Sequence, residues 1–245
     1  MRYIIFSMIL ILPTLLFSQT PSAEEILKKI DANRLSDNKI IVAKMIINGR
    51  RGERTVELKS WQRNIYDAFT EYLAPPRDKG TKMLKLGDQL WTYSPSTDRT
   101  ILISGHMLHQ SVMGSDLSYE DMMEDPMLQN TYNAKIVDQD TISNRQIWIL
   151  ELKAKKKDAS YDKRKVWVDK ERFITLKENL YAKSGKLLKT IEIYEVMNVE
   201  GRWVLKSALY KDVLKEGEGT KMIVESIEFN ENIPDHIFSK ASLRK

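Results

Sequence analysis

The side chains best equipped for chemistry fall in one stretch in the middle of the chain. His106, His109, Ser111, Ser115 and Asp116 are the residue types of a hydrolytic triad. A serine nucleophile, however, is activated by a base held in hydrogen-bond reach, and closeness in sequence does not supply that geometry. Ser115 in Gly114-Ser115-Asp116 also lacks the glycines two places to either side that a nucleophile elbow requires. The third histidine, His236, lies near the C-terminus. No enzyme activity is expected. The same stretch holds Asp116, Glu120, Asp121, Glu124 and Asp125, which invites calcium because hard cations take several oxygen ligands. The spacing is not that of a calcium-binding helix-loop-helix and the required glycine is missing. Asp116 or Ser118 capping a short helix, with Glu120 and Asp121 in its first turn, is the simpler account. Neither a metal nor a cofactor is expected.

Apolar chemistry is better represented. Met107, Leu108, Met113, Met122, Met123 and Met127 punctuate the same stretch, and unbranched thioether side chains repack around ligands of varied shape. Alternation on the flanking strand-like runs offers Met83, Trp91, Tyr93, Trp148 and Leu150 as further walls of an apolar cavity. The competing account is that these side chains form ordinary core beneath a loop. The basic cluster Lys153–Lys157 with Lys163, Arg164 and Lys165 is either a transient contact for anionic membrane headgroups or a solvated hairpin end.

What positions these residues is mostly sheet. Ser22 and Glu25 have the spacing of a capping box, and Ile26, Leu27 and Ile30 recur at helical period toward Leu35, so an amphipathic helix opens the mature chain. From Lys39 the period changes to that of strands. They are expected at 39–47, 53–61, 64–73, 81–86, 89–93 and 99–103, then at 132–138, 145–154, 163–168, 174–182, 187–196, 202–214 and 221–229. Between the two sets, residues 105–130 read as a long loop with one or two helical turns, a length that marks a functional cover. A sheet of this many strands accumulates twist and must curl. The fold class is therefore mainly β: a curved antiparallel half-barrel whose concave face is covered by the N-terminal helix and the middle segment.

Arg2 followed by an apolar run from Tyr3 to Phe17 has the form of a secretory signal peptide, cut after Ser18, with a retained membrane anchor as the alternative. Residues 19–245 are expected to form a single domain. The absence of cysteine excludes a bacterial lipoprotein and a disulfide scaffold. The net charge of +5 arises from interleaved acidic and basic residues, which argues against nucleic-acid binding.

Three blocks carry a family resemblance. Gly80-Thr81-Lys82-Met83-Leu84-Lys85, Gln89-Leu90-Trp91-Thr92-Tyr93-Ser94-Pro95 and Gly114-Ser115-Asp116-Leu117-Ser118-Tyr119-Glu120-Asp121 resemble the outer membrane lipoprotein-sorting protein family, a relative of the periplasmic lipoprotein carrier LolA. The likeness extends to Ile233-Pro234-Asp235 and Ile237-Phe238-Ser239. It implies a half-barrel with a hydrophobic cavity for the acyl chains of a lipid or lipoprotein, a periplasmic location, and an inner-membrane transporter or permease as donor. Gly114, Ser115, Asp116, Tyr119, Glu120 and Asp121 would then belong to the cover in a structural role. Because the fold is shared with lipid-sensing regulators, a sensor acting through a protein partner is the alternative, and an envelope hydrolase a more distant one.

Overall fold

The computed structural model describes residues 20–49, 52–157 and 159–245. The expected signal peptide lies outside them. Helix α1 spans Ala23–Arg34; the Ser22 hydroxyl accepts from the Glu25 N–H while the Glu25 carboxylate accepts from the Ser22 N–H, closing the capping box read from the sequence.

The strands are β1 (Asn38–Gly49), β2 (Gly52–Arg63), β3 (Asp67–Ala74), β4 (Lys82–Leu86), β5 (Gln89–Ser94) and β6 (Arg99–Ile103), then β7 (Tyr132–Ile142), β8 (Arg145–Ala154), β9 (Lys163–Asp169), β10 (Thr175–Tyr181), β11 (Leu187–Val199), β12 (Arg202–Asp212) and β13 (Gly219–Phe229). They form one 13-stranded antiparallel sheet in the order β6-β5-β4-β3-β2-β1-β13-β12-β11-β10-β9-β8-β7. Every neighbour but one follows in sequence; the exception is the β1–β13 pair at the centre. Both free edges, β6 and β7, consequently belong to the middle of the chain, and the sheet does not close into a barrel. The expected third strand began too early: Asn64 and Ile65 adopt positive φ of 43° and 59° and form the β2–β3 turn, because β2 runs on to pair Arg63 with Asn38.

The segment between the edges must travel from β6 to β7. It does so through 3₁₀ turns at Gly105–His109 and Val112–Gly114, helix α2 (Tyr119–Met123) and helix α3 (Leu128–Thr131). Ser118 caps α2 and Asp121 returns the bond, a second capping box.

Three clusters divide the core. Under α1, Ile26, Leu27 and Ile30 pack on Trp148, Leu150, Leu152, Val166 and Val168. Under the middle segment, Met107, Leu108, Met113, Met122 and Met123 pack on Ala43, Met45, Val56, Tyr72 and Met83. The third cluster sets Phe69, Leu84 and Trp91 against Ile233, Phe238 and Leu243 of the C-terminal segment. On β1, odd residues such as Met45 join the middle-segment cluster and Ile40 joins the C-terminal one, so these two clusters lie on opposite faces of the sheet. The helix and the middle segment are the covers expected of the concave face; the C-terminal segment covers the convex face.

Candidate functional site

Between the two covers the concave face is left partly unfilled. A cavity of about 460 Å³ lies over β9–β13 and β1. Its apolar wall includes Ile41, Ile191, Ile193, Leu205 and Ile227, all only half-buried. At the covered ends, by contrast, Met45, Tyr72, Leu150 and Leu152 are fully buried. Two irregularities set this wall. The register of β1 against β13 slips between Val42 and Ala43, so that Val224 and Ile227 both face inward opposite Ala43 and Ile41. β11 slips against β12 on both sides of Glu195.

The middle segment is held over the sheet by discrete polar contacts. Asp116, 6% exposed, accepts from the Thr220 hydroxyl at 2.8 Å and from the Asp212 N–H at 2.9 Å, while the Asp116 N–H donates to the Thr220 Oγ1. Lys215 donates to the Ser115 carbonyl at 2.7 Å, and Arg54 to the Met113 carbonyl. Gly114 stands beside that guanidinium at a φ of +73°. At α2, Asp121 accepts from Lys189 and from the Tyr161 hydroxyl. Burial raises the pKa of Asp121, but the Lys189 charge and the bonds from Lys189, Ser118 and Tyr161 outweigh it and hold it below the usual value. Glu124 and Glu178 both pair with the buried Arg164, whose guanidinium also lies 5.0 Å above the Tyr132 ring. Burial pushes Glu124 above the ordinary carboxylate range against the pull of Arg164. Asp31 of α1 accepts from the Leu128 and Gln129 N–H groups, joining the two covers.

These bonds account for the residues that carried the chemical readings. Ser115 donates to the Val112 carbonyl at 2.7 Å, Ser111 accepts from Lys215, and His109 pairs with Glu120. Each carboxylate of the acidic cluster has a partner of its own: Asp125 accepts from the Met127 N–H and Asn130. Among the described residues no group of three or more His, Asp or Glu converges as metal ligands would. Tyr119 packs in the core under the middle segment.

Of the charged residues singled out in the sequence, Asp121, Glu124 and Arg164 line the cavity. Met83, Met107, Leu108 and Met113 sit in the adjoining core, and Trp148 and Leu150 lie beneath α1. Trp91 and Tyr93 are on the opposite face, under the C-terminal segment, with the Lys240 ammonium 4.2 Å from the Trp91 ring. Strand alternation identified faces but not which face is concave. Arg164 is a second correction: its neighbours Lys163 and Lys165 lie over Tyr181 and Trp167, whereas Arg164 turns inward and is 5% exposed. The wall that sequence reading missed belongs to β10–β13, strands with no motif; the signal within reach was β11, where no residue is fully buried.

A curved open sheet, strapped across its concave face above an apolar hollow, is a half-barrel, a fold shared with solved structures. The comparisons agree. A protein described as an outer membrane lipoprotein-sorting domain from Vibrio parahaemolyticus is 22% identical, covers 91% of this chain and 98% of its own, and superposes with a TM-score of 0.79. A DUF1329 family protein from Desulfovibrio piger gives 0.82 at 22% identity over 90% and 97%, and a LolA superfamily protein from Nitrosomonas europaea 0.75 at 23% over 91% and 100%. Residues 66–245 match the model of a family described as "Uncharacterized protein", and the chain belongs to that family. No curated protein matches it.

Proposed function

We propose that this protein is a periplasmic carrier that shields an acyl chain of a lipid or lipoprotein in its cavity and passes it toward the outer membrane. Residues 19–245 would act as one binding unit after removal of a signal peptide, receiving cargo from an inner-membrane transporter or permease. The observation that carries the reading is the half-buried apolar wall of Ile41, Ile191, Ile193, Leu205 and Ile227 around 460 Å³ of space. At about 30 Å³ per water-sized group that space takes on the order of 15 methylenes, the scale of one acyl chain. Among the described residues no helix is long and apolar enough to cross a membrane.

The test is lipid mass spectrometry on the purified protein, uptake of a fluorescent fatty acid, and transfer of labelled lipid between donor and acceptor vesicles. A carrier binds the probe and accelerates transfer. Binding without acceleration would replace the carrier by a sensor, and neither co-purifying lipid nor probe uptake would remove both.

A further inference from the structure

The charged side chains around the cavity fall into two groups. Arg164 and Lys189 are neutralised by Glu124, Glu178 and Asp121. At the other end, beside the last turn of α1, Arg34 and Lys39 line the wall, and among the described residues neither they nor the adjoining Arg202 form an ion pair with a carboxylate. Lys39 donates to the Arg34 carbonyl at 2.9 Å, and Arg202 donates to the carbonyls of Ala32 and Leu35. The helix C-terminus thus receives Lys39 and Arg202, but its roughly half a negative charge, together with the field of the buried Asp31 on Arg34, still leaves an excess of positive charge here. Burial, and after it repulsion from Arg34 and Arg202, brings the pKa of Lys39 down to about 8.

The direction of β1 relates this positive end to the apolar floor. Lys39, Ile41, Ala43 and Met45 occupy one face in succession, with Lys39 opposite Phe229 and Ile41 opposite Ile227 on β13. Going from Lys39 to Ile41, the wall passes from cationic to apolar over about 7 Å.

We propose that the cavity takes a single-chain amphiphile with an anionic head, carboxylate or phosphate, held by Arg34 and Lys39, with Arg202 adding positive field beside them, while its chain lies along Ile41, Ile193, Leu205 and Ile227. This rests on the acyl-binding reading above and adds the charge of the ligand. An uncharged acyl ester leaves this excess of positive charge uncompensated.

The experiment titrates the purified protein with laurate, lysophosphatidylglycerol and methyl laurate, all below their aggregation concentrations, against a displaceable fluorescent fatty alcohol. Laurate or lysophosphatidylglycerol, or both, should bind at least tenfold more tightly than the ester; which one does so separates a free carboxylate from a lipid phosphate. In Lys39→Gln and in Arg34→Gln that preference should fall severalfold while ester and alcohol affinity are retained, which also reports that the cavity is intact. Equal affinity for acid and ester, or a preference unchanged in both variants, overturns the anionic head and leaves acyl binding standing. Failure of every amphiphile, the alcohol included, overturns both.

Discussion

Replacing Ile193 by aspartate tests whether the floor of the hollow is where an acyl chain lies. Ile193 stands on β11 opposite Ala208, lines the cavity and is half-buried. Complete burial of an isoleucine is worth about 1.5–3 kcal/mol, so a half-buried one contributes roughly 1, and loss of β propensity adds up to about 1 more. Folding should weaken by about 1–2 kcal/mol, a fall of several degrees in Tm for a chain of this size. Binding should suffer more. A hydrated carboxylate on the floor denies contact to three or four methylenes at about 0.8 kcal/mol each. That is about 3 kcal/mol, on the order of 100-fold in Kd. Titration with a fluorescent fatty acid, run beside thermal unfolding, reads both quantities. Trp91→Leu is the control: Trp91 is 6% exposed beneath the C-terminal segment on the other face, so it should lower Tm and leave probe affinity unchanged. If Trp91→Leu abolishes binding and Ile193→Asp spares it, the assignment of concave and convex faces is wrong.

Asp116→Ala strips the Thr220 hydroxyl and the Asp212 N–H of their acceptor and should cost about 1–3 kcal/mol per unsatisfied group; calorimetry that shows no change would exclude it as an anchor of the middle segment. Asp121 has a lowered folded pKa, so its contribution is complete above the ordinary value of 3.8 and disappears as pH falls through the folded value. The stability gap between the wild type and Asp121→Asn, about 3 kcal/mol at neutral pH by analogy with broken buried pairs, should therefore close in acid urea titrations, and a pH-independent gap would refute the pairing with Lys189. Lys39 carries the opposite sign. With its folded pKa near 8 rather than 10.5, set by burial with Arg34 and Arg202 facing it and Gln62 and Phe229 across the neighbouring strands, its charge penalises folding below about pH 8 and ceases to do so as pH rises toward 10.5. Lys39→Met should accordingly gain about 1–2 kcal/mol near pH 7, less than the full conversion of the shift because the ammonium keeps its bond to Arg34, and the gain should vanish by pH 10.5; a constant gain would refute the electrostatic origin.

The elements were legible because each rests on local chemistry. Ser22 and Glu25 cap α1, and Gly and Asn residues end the strands at nearly the positions where the register stops. The turn at Asn64–Ile65 was not, since a β-branched residue at a φ of 59° goes against local preference and is imposed by the pairing of Arg63 with Asn38. The cavity was harder. Alternation assigns residues to faces only until a bulge shifts the parity, and bulges occur at Val42/Ala43 and around Glu195, within the strands that make the wall. Met-rich sequence pointed to the cover, whose methionines fill core. Arg164, read with its lysine neighbours as a surface charge, became a buried counter-ion for Glu124 and Glu178 through partners 40 and 14 residues away.

The topology explains why this hollow has a cover at all. With β1 paired to β13, the free edges fall at β6 and β7, and the chain that joins them has to pass across the sheet. Part of this connector, α2 with Leu117 and Glu124, borders the cavity, and there it is fastened by Asp116, Asp121 and Glu124 at separate points. On the order of 15 buried methylenes would release about 12 kcal/mol, against about 4–15 kcal/mol for association. Binding of a single chain is then worth at most about 8 kcal/mol, the same scale as one or two of those fastenings. Loosening Asp121 or Glu124 should therefore speed release more than it alters the floor. Faster probe dissociation in Asp121→Asn, with the Ile193→Asp penalty unchanged in that background, would separate the strap from the pocket it covers; coupled losses would mean the two are one packed unit.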